Sequence, residues 1–169
     1  MSPAQTATLA ADSITLAHRQ FTVAENLSVT LPTGKVTAIV GPNGCGKSTL
    51  LNGLARIHAP AKGSVLLDEP TSALDLGHQI EVFELIRTLS GQGKTIAMVV
   101  HDLASACRYA DHMVAMKAGK IIEEGTPAEI VSPELVQDLY GVSCDLIQDP
   151  ATGSPLLVNV RRNSNFSAA

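Results

Sequence analysis

Residues Gly41 to Ser48 read GPNGCGKS and match every fixed position of the pattern GxxxxGK[ST]. The segment follows an apolar, β-branched run at Lys35–Val40 and precedes a predicted helix over Lys47–Ile57, whose leucines recur at helical spacing. Its three glycines let the backbone curl so that its N–H groups point inward at phosphate oxygens. Lys47 would neutralise the β- and γ-phosphates, and Ser48 offers a hydroxyl to Mg²⁺. A strand, this loop and a helix in succession therefore predict a nucleotide-phosphate site.

A pair of carboxylates, Asp68 and Glu69, ends the next apolar strand. An aspartate at the carboxyl end of such a strand can hold Mg²⁺, directly or through water. The neighbouring glutamate can act as general base toward an attacking water. The same sequence is also compatible with a strand that merely ends in a solvated acidic turn. The phosphate loop favours the functional interpretation, because phosphoryl transfer needs both a metal ligand and a residue that orients the nucleophile.

Strand and helix patterns alternate along the chain, and this alternation predicts an α/β fold with a mainly parallel sheet. The predicted strands are Ser13–Ala17, Leu27–Leu31, Lys35–Val40, Ser64–Leu67, Thr95–Val100 and a hairpin of His112–Met116 with Ile121–Glu124 around Ala118-Gly119. The predicted helices are Lys47–Ile57, His78–Ser90, a segment capped by Asp102, Thr126–Ile130 and Pro133–Tyr140. A polar tail over residues 162–169 is expected to fray.

Composition excludes several other classes of protein. With 12 basic and 16 acidic residues, a net charge of −4 and only 3% aromatic residues, nucleic-acid binding is not expected. The three cysteines are far apart, which excludes a disulfide framework or a cysteine-rich zinc site and is typical of a reducing compartment. No apolar run approaches the length of a spanning helix and no signal peptide is visible, so we expect a cytoplasmic chain.

These motifs together resemble the ATP-binding subunit of an ABC transporter, which has a P-loop NTPase core. Gly41–Thr49 resembles its Walker A motif, and Val65–Glu69 resembles its Walker B motif with the catalytic glutamate. Ser72–Asp75 resembles the D-loop, which in the family contacts a partner subunit across a dimer. His101, which follows a buried strand, resembles the switch histidine that senses the γ-phosphate.

The resemblance implies ATP and Mg²⁺ as cofactors and assigns roles to particular residues. Those placed around the nucleotide phosphates are Gly41, Pro42, Asn43, Gly44, Cys45, Gly46, Lys47, Ser48 and Thr49. Ser48 and Asp68 correspond to the metal ligands, and Glu69 and His101 to the catalytic residues. In this family an aromatic side chain near the N-terminus stacks on adenine. His18 occupies the matching place, with Phe21 as the weaker alternative.

Three later segments narrow the resemblance to importers of ferric siderophores, haem or cobalamin. They are Asp111–Lys120, Glu124–Pro127 and Asp149–Pro155. Such subunits work with inner-membrane permease subunits and a second ATP-binding subunit, and indirectly with a substrate-binding protein. The resemblance therefore implies a peripheral position on the cytoplasmic face of the membrane.

One long part of the family pattern is missing. Asp68 follows Lys47 by only 21 positions, whereas the family carries the Q-loop, a helical subdomain and the signature motif between its two Walker motifs. Leu89–Gly93 reads LSGQG, but it follows the acid pair and ends a helix, so a turn explains it better than a signature. The stretch Gly63–Asp68 resembles both an early strand of the family and its Walker B strand, which suggests an in-frame deletion between two similar stretches.

The expected result is a single truncated nucleotide-binding domain over residues 1–169, without the helical subdomain. Nucleotide binding would survive, but hydrolysis and coupling to a permease would be impaired, because the second half of each ATP site is lost. Two alternatives stay open at this stage. One is a non-catalytic remnant that binds nucleotide and pairs with an intact subunit, and the other is a small P-loop kinase.

Overall fold

The computed structural model describes residues 9–18, 21–57 and 63–162. Nine strands and five helices lie within these ranges, and their bounds follow in chain order. They are β1 (Leu9–His18), β2 (Phe21–Leu31), β3 (Val36–Val40), α1 (Lys47–Ile57), β4 (Ser64–Asp68), α2 (Leu76–Gly91), β5 (Thr95–Val99), α3 (Leu103–Tyr109), β6 (His112–Lys117), β7 (Lys120–Gly125), α4 (Pro127–Ile130), α5 (Pro133–Tyr140), β8 (Val142–Gln148) and β9 (Pro155–Arg162). None of the described helices has the length and hydropathy that a membrane crossing requires.

The central sheet has five strands in the order β4-β5-β3-β6-β7. The first four run parallel, and β7 returns antiparallel to β6 as the predicted hairpin. Its turn places Ala118 and Gly119 at φ 47° and 77°, as a two-residue hairpin loop requires. Strands β3 and β5 are buried at every residue, because they lie inside the sheet with both faces covered. The predicted α/β fold with a mainly parallel sheet is confirmed.

Two apolar clusters cover the two faces of this sheet, and alternate residues of each strand point to opposite clusters. Along β5, for example, Ile96 and Met98 join the face that carries α2 and α3. Their neighbours Ala97 and Val99 join the face that carries α1 and the β1–β2 ribbon. Helix α1 therefore lies on one side of the sheet, while α2 to α5 pack on the other.

The boundaries of the helices and of the strands in the central sheet differ from the predictions by one or two residues. Helix α2 begins at Leu76 rather than His78, because the Asp75 side chain caps it by accepting a hydrogen bond from the His78 backbone N–H at 3.0 Å. The helix runs to Gly91 and ends in a turn at Gln92 and Gly93, as predicted, and Gly93 has φ 87°. The sequence Ala59–Gly63 also predicts a break after α1, and residues 59–62 of it lie outside the described residues.

The N-terminal strands are longer than predicted. They form an antiparallel ribbon, β1–β2, whose register shifts at several points. Ser13 and Asn26 adopt φ 49° and 52°, which interrupts the strict alternation that a period-two search follows. The Ser13 amide donates to Ser28 Oγ at 2.8 Å. That hydroxyl donates in turn to Asp12 Oδ1 at 3.0 Å, so side chains satisfy the irregular backbone.

The sequence patterns did not predict the second antiparallel ribbon, which consists of β8 and β9. Its turn is held by Asp149, whose backbone N–H donates to the Ser154 carbonyl at 2.9 Å and whose side chain accepts from the Ala151 amide at 2.8 Å. Arg162 pairs with Val142 at the open end, so it belongs to a strand rather than to the expected tail. Residues 163–169 lie outside the described residues. The ribbon packs against α5 and α3 rather than joining the central sheet.

Asp111, which lies between α3 and β6, links that turn to β3 and to α2 through its carboxylate. Its Oδ2 accepts a hydrogen bond from the Val36 amide at 2.9 Å, and its Oδ1 accepts one from Arg87 Nη1 at 2.8 Å. Partial burial alone would raise the pKa of this carboxyl, but the Val36 amide and the Arg87 guanidinium together lower it below its ordinary value. The charged form is therefore the one that stabilises the fold.

We expect Asp111→Asn to lower the free energy of unfolding by about 1 kcal/mol at pH 7, the contribution of a charge-assisted hydrogen bond in a partly exposed site. Because the folded pKa is lowered, this stability is present above the unfolded pKa and is lost as pH falls through the folded pKa. Urea unfolding at neutral pH and near pH 3 measures it. Glu123→Gln, at an exposed position, is the control. A deficit that does not shrink in acid would contradict the assignment.

Candidate functional site

The loop between β3 and α1 is shaped by its three glycines. Gly41, Gly44 and Gly46 have φ of 149°, 76° and 104°, a region that side chains other than glycine rarely adopt. Gly41 also lies against β6, where a Cβ atom would come within 2.1 Å of the Met116 carbonyl oxygen. The loop also contacts the turn between β6 and β7, where the Gly119 amide donates to the Cys45 carbonyl at 3.0 Å. The loop is therefore fixed on the β6–β7 hairpin.

Lys47 is buried inside the loop, with 5% of its surface exposed. Its Nζ donates to the carbonyl oxygens of Gly41 and Pro42, both at 2.9 Å. These two bonds hold a positive charge at the point where the loop amides and the start of α1 also direct positive potential. Such a concave, positively polarised loop is suited to an anionic group such as a phosphate.

Ser48 and Asp68 are brought together by the sheet order, although they are distant in sequence. Asp68 ends β4, which pairs in parallel with β5, and β5 pairs with β3. Ser48 follows β3 at the same edge and donates from its Oγ to Asp68 Oδ1 at 3.0 Å. The stretch Gly63–Asp68, which resembles both an early strand and the Walker B strand of the family, thus ends in the central sheet beside the phosphate loop, where the Walker B assignment expects it.

Glu69 and His101 form the opposite wall of the site. His101 Nε2 lies 2.5 Å from Glu69 Oε1, and both side chains are partly exposed. The Glu69 amide donates to the Val99 carbonyl at 3.0 Å, which extends the β4–β5 pairing by one residue. Glu69 itself has φ 50°, a conformation that costs about 1 kcal/mol for a residue with a side chain. Backbone strain of this kind often marks residues whose direction matters for function.

These groups surround one cavity of about 530 Å³. Its lining residues are Asn43, Gly44, Gly46, Lys47, Ser48, Thr49, Glu69 and His101. All eight are residues that the sequence singled out, and Asp68 touches the cavity's Ser48.

Some of the predicted site residues are not part of the cavity lining. Gly41 and Cys45 are buried and do not line the cavity, and neither does Pro42. Burial raises the pKa of the Cys45 thiol, although the charge of Lys47 opposes this. The side chains of His18 and Phe21 lie outside the described part of the chain, so the predicted adenine contact remains a prediction.

The Ser72–Asp75 segment connects β4 to α2, and its conformation is held by the first turn of that helix. Gln79 Nε2 donates to the Leu74 carbonyl at 2.9 Å and to the Thr71 carbonyl at 3.3 Å. His78 Nδ1 lies 2.8 Å from Asp75 Oδ2. Gln79 was not identified from the sequence. The only available indication was a long amide side chain within one helical turn of a loop, where it can donate to the loop's carbonyl oxygens. The sequence did predict Asp102, which caps α3 by accepting from the Ala104 and Ser105 amides.

Residues 24–112 match the family model described as ABC transporter, and this chain belongs to that family. The ferric enterobactin transport ATP-binding protein FepC of Escherichia coli (strain K12) is 31% identical over 96% of this chain and 97% of its own length. The achromobactin transport ATP-binding protein CbrD of Dickeya dadantii (strain 3937) is 30% identical over 86% and 92%. The alignment with FepC spans 264 positions against 169 residues here, which is consistent with an internal segment that this chain lacks.

Solved structures agree with the fold. A metal-chelate type ABC transporter in an inward-facing conformation superposes with a TM-score of 0.73 at 18% identity, over 88% of this chain and 95% of that one. A nucleotide-free ATP-binding cassette from an ABC transporter gives 0.60 at 15% identity, over 86% and 96%. At these identities the likeness concerns the fold alone.

Proposed function

We propose that this chain is an ATP-binding subunit of an importer for ferric siderophores or a related iron chelate, and that it binds MgATP in the cavity between the phosphate loop and Glu69. The observation that carries the proposal is the convergence of Lys47, Ser48 and Asp68 at one edge of the sheet. The iron-chelate part is supported by the names of the relatives, which transport ferric enterobactin and achromobactin.

The residues present fit a magnesium nucleotide. Ser48 Oγ and Asp68 Oδ1 are oxygen donors 3.0 Å apart, and Mg²⁺ prefers one or two such protein ligands together with phosphate oxygens. In the described ranges no cluster of three or more histidine, cysteine or acidic side chains could hold a metal ion. When bound, the ion supplies charge neutralisation at the phosphates. Lys47 supplies the remaining positive charge.

Hydrolysis would rest on Glu69 and His101. Glu69 can accept a proton from an attacking water. His101 Nε2 lies 2.5 Å from Glu69 Oε1 and would orient that carboxylate. Phosphoryl transfer depends on positioning and on charges that surround the phosphate from all sides. The family signature that supplies the second side is not in this sequence, so we propose that hydrolysis and coupling are weak.

The proposed partners are permease subunits and a second ATP-binding subunit, with the chain peripheral on the cytoplasmic face of the membrane. A non-catalytic alternative is that the chain binds nucleotide and occupies the place of an intact subunit. The Ser72–Asp75 segment, which resembles the dimer-contacting D-loop, favours this alternative. It is exposed, and the side chains of Gln79 and Asp75 hold it in a defined conformation that a partner subunit could contact. The kinase hypothesis is not supported, since the family match is to ABC transporters.

Calorimetric titration of the purified chain with MgATP tests the proposal. We expect saturable binding of one nucleotide per chain, weakened by removal of Mg²⁺ with a chelator. Turnover should be at least about 100-fold below that of a complete relative assayed alongside, since a single lost electrostatic donor can cost that much. Absence of binding would refute the nucleotide site, and turnover equal to the relative's would refute the proposed impairment.

A further inference from the structure

Strand β4 is an edge strand of the central sheet, and among the described strands only β5 pairs with it. The Thr95 amide donates to the Gly63 carbonyl at 2.8 Å, and the Glu69 amide donates to the Val99 carbonyl at 3.0 Å. A parallel pair uses every second residue of a strand for such bonds, so the odd-numbered residues of this segment bond to β5. The backbone N–H and C=O groups of the even-numbered residues point away from β5, toward the free edge. These residues are Ser64, Leu66 and Asp68.

The two edges of the central sheet differ in their protection against further pairing. Strand β7, at the opposite edge, carries the exposed charges Lys120, Glu123 and Glu124 and packs against β2. Strand β4 reads SVLLD, pairs regularly with β5 and carries its one charge at its end, and its other residues are partly exposed. Charges, prolines and bulges are the means by which edge strands avoid pairing with another chain. The apolar part of β4 has none of these, so its edge can accept a further strand.

The sequence of β4 is complementary to itself when two copies run antiparallel. With Leu66 opposite its own counterpart, Val65 faces the partner's Leu67. Ser64 then faces the partner's Asp68, whose carboxylate can accept a hydrogen bond from the serine hydroxyl. A register shifted by two residues would instead place Leu66 opposite Ser64 or Asp68. At the symmetric register the residues with free backbone groups face one another, so about six backbone hydrogen bonds can form.

We propose that β4 is a docking edge for a second copy of this chain, which adds its own β4 in antiparallel orientation about a twofold axis. Val65 and Leu67 pack against the apolar cluster on one face of the sheet, and Leu66 packs against the cluster on the other, so the paired strands continue both clusters across the axis. The same edge is used by both copies, so the contact closes as a dimer and does not extend into a fibre. The inference goes beyond the proposed function, since this contact needs no nucleotide and does not use the Ser72–Asp75 segment.

Sedimentation velocity of the chain without nucleotide tests for the dimer. Five residues on each side make a small interface, so we expect a monomer–dimer equilibrium with a dissociation constant on the order of 10 μM. A concentration series on both sides of that value should show the conversion from monomer to dimer.

Substitutions at Ser64 test the register. Ser64→Lys places an ammonium opposite the partner's Asp68 and should tighten the dimer about fivefold, because the pair occurs twice in a symmetric dimer. Ser64→Asp places two carboxylates opposite each other and should weaken the dimer about fivefold. Within one chain Ser64 and Asp68 lie at opposite ends of β4, so both changes act across the interface. Thr30→Lys and Thr30→Asp, at an exposed position of β2, are the matched controls for net charge.

Hydrogen exchange resolved to single amides identifies the strand that pairs. The Leu67 amide is directed at β5, so it should be protected at every concentration. The Leu66 amide points to the free edge, so it should exchange rapidly in the dilute monomer and become protected as the dimer forms. This contrast between adjacent residues is specific to pairing at the β4 edge.

Each outcome decides the inference. Dimerisation that depends on concentration, opposite effects of the two Ser64 variants and protection of the Leu66 amide in the dimer support it. A chain that stays monomeric, larger assemblies, or equal effects in the Thr30 variants would overturn it. Protection of the Leu66 amide in the monomer would also overturn it, because another part of the same chain would then cover the edge. Failure of the unsubstituted chain to bind MgATP would refute the proposed function and leave this inference standing.

Discussion

Replacing Gly41 with alanine is expected to prevent the chain from reaching its native fold. The new Cβ atom would lie 2.1 Å from the Met116 carbonyl oxygen and 2.9 Å from Cys45 Sγ, and the first of these is a backbone atom that no rotamer change can move. Gly41 also has φ 149°, which a side chain strains. We expect a loss of about 4 kcal/mol or more, a large part of the 5–15 kcal/mol that stabilises a typical domain.

Gly44→Ala is the matched control for this prediction. Gly44 lies in the same loop with φ 76°, but nothing is within 4 Å of a Cβ placed there, so only the backbone strain of about 1 kcal/mol applies. Soluble yield, circular dichroism and urea unfolding compare the two variants. Similar stabilities for the two variants would show that the Met116 contact does not constrain the loop.

Lys47→Ala is expected to weaken MgATP binding by about 100-fold, which corresponds to about 2.7 kcal/mol. Among the described residues that line the cavity, Lys47 is the one lysine or arginine, and its ammonium is oriented by the carbonyls of Gly41 and Pro42. Alanine removes that charge and leaves the two carbonyl oxygens without their hydrogen-bond donor beside the site. Both effects oppose an anion.

Calorimetry measures this loss, and Lys35→Ala is its control. Lys35 is exposed and immediately precedes β3, at the end of that strand opposite the loop, so it carries the same charge without contact with the site. We expect its removal to change affinity less than twofold at physiological salt, because exposed charges at such distances are screened. Equal losses in the two variants would mean that net charge, and not the position of Lys47, governs binding.

The candidate site could be predicted from the sequence wherever its parts are adjacent in the chain. Gly41–Ser48 is one continuous loop, and the acid pair Asp68-Glu69 ends one continuous strand. Spacing of this kind reflects local backbone geometry, so it is visible without any tertiary information. The contact between Glu69 and His101 was not visible in this way. It depends on β4 and β5 being neighbours, and on the strained φ of Glu69.

The fold shows a similar division. The buried strands β3 and β5 and the capped helices follow from apolar runs and capping residues, which act over a few residues. The β8–β9 ribbon does not, because burial along its strands does not alternate residue by residue and their pairing is interrupted by a register shift. Its formation depends on packing against α5, which directly precedes β8 in the chain, and against α3, which is distant in sequence. Local sequence patterns do not reveal such tertiary contacts.

By itself, the sequence determined the phosphate loop, the carboxylates that follow β4, the class of fold and the family, because these depend on short-range geometry and on hydrophobic periodicity. Only the tertiary structure decided where the ambiguous stretch Gly63–Asp68 lies. It pairs with β5 at the edge of the central sheet, which places Asp68 beside Ser48. This position is favourable because Val65 and Leu67 pack against the apolar cluster on one face of the sheet and Leu66 against the cluster on the other.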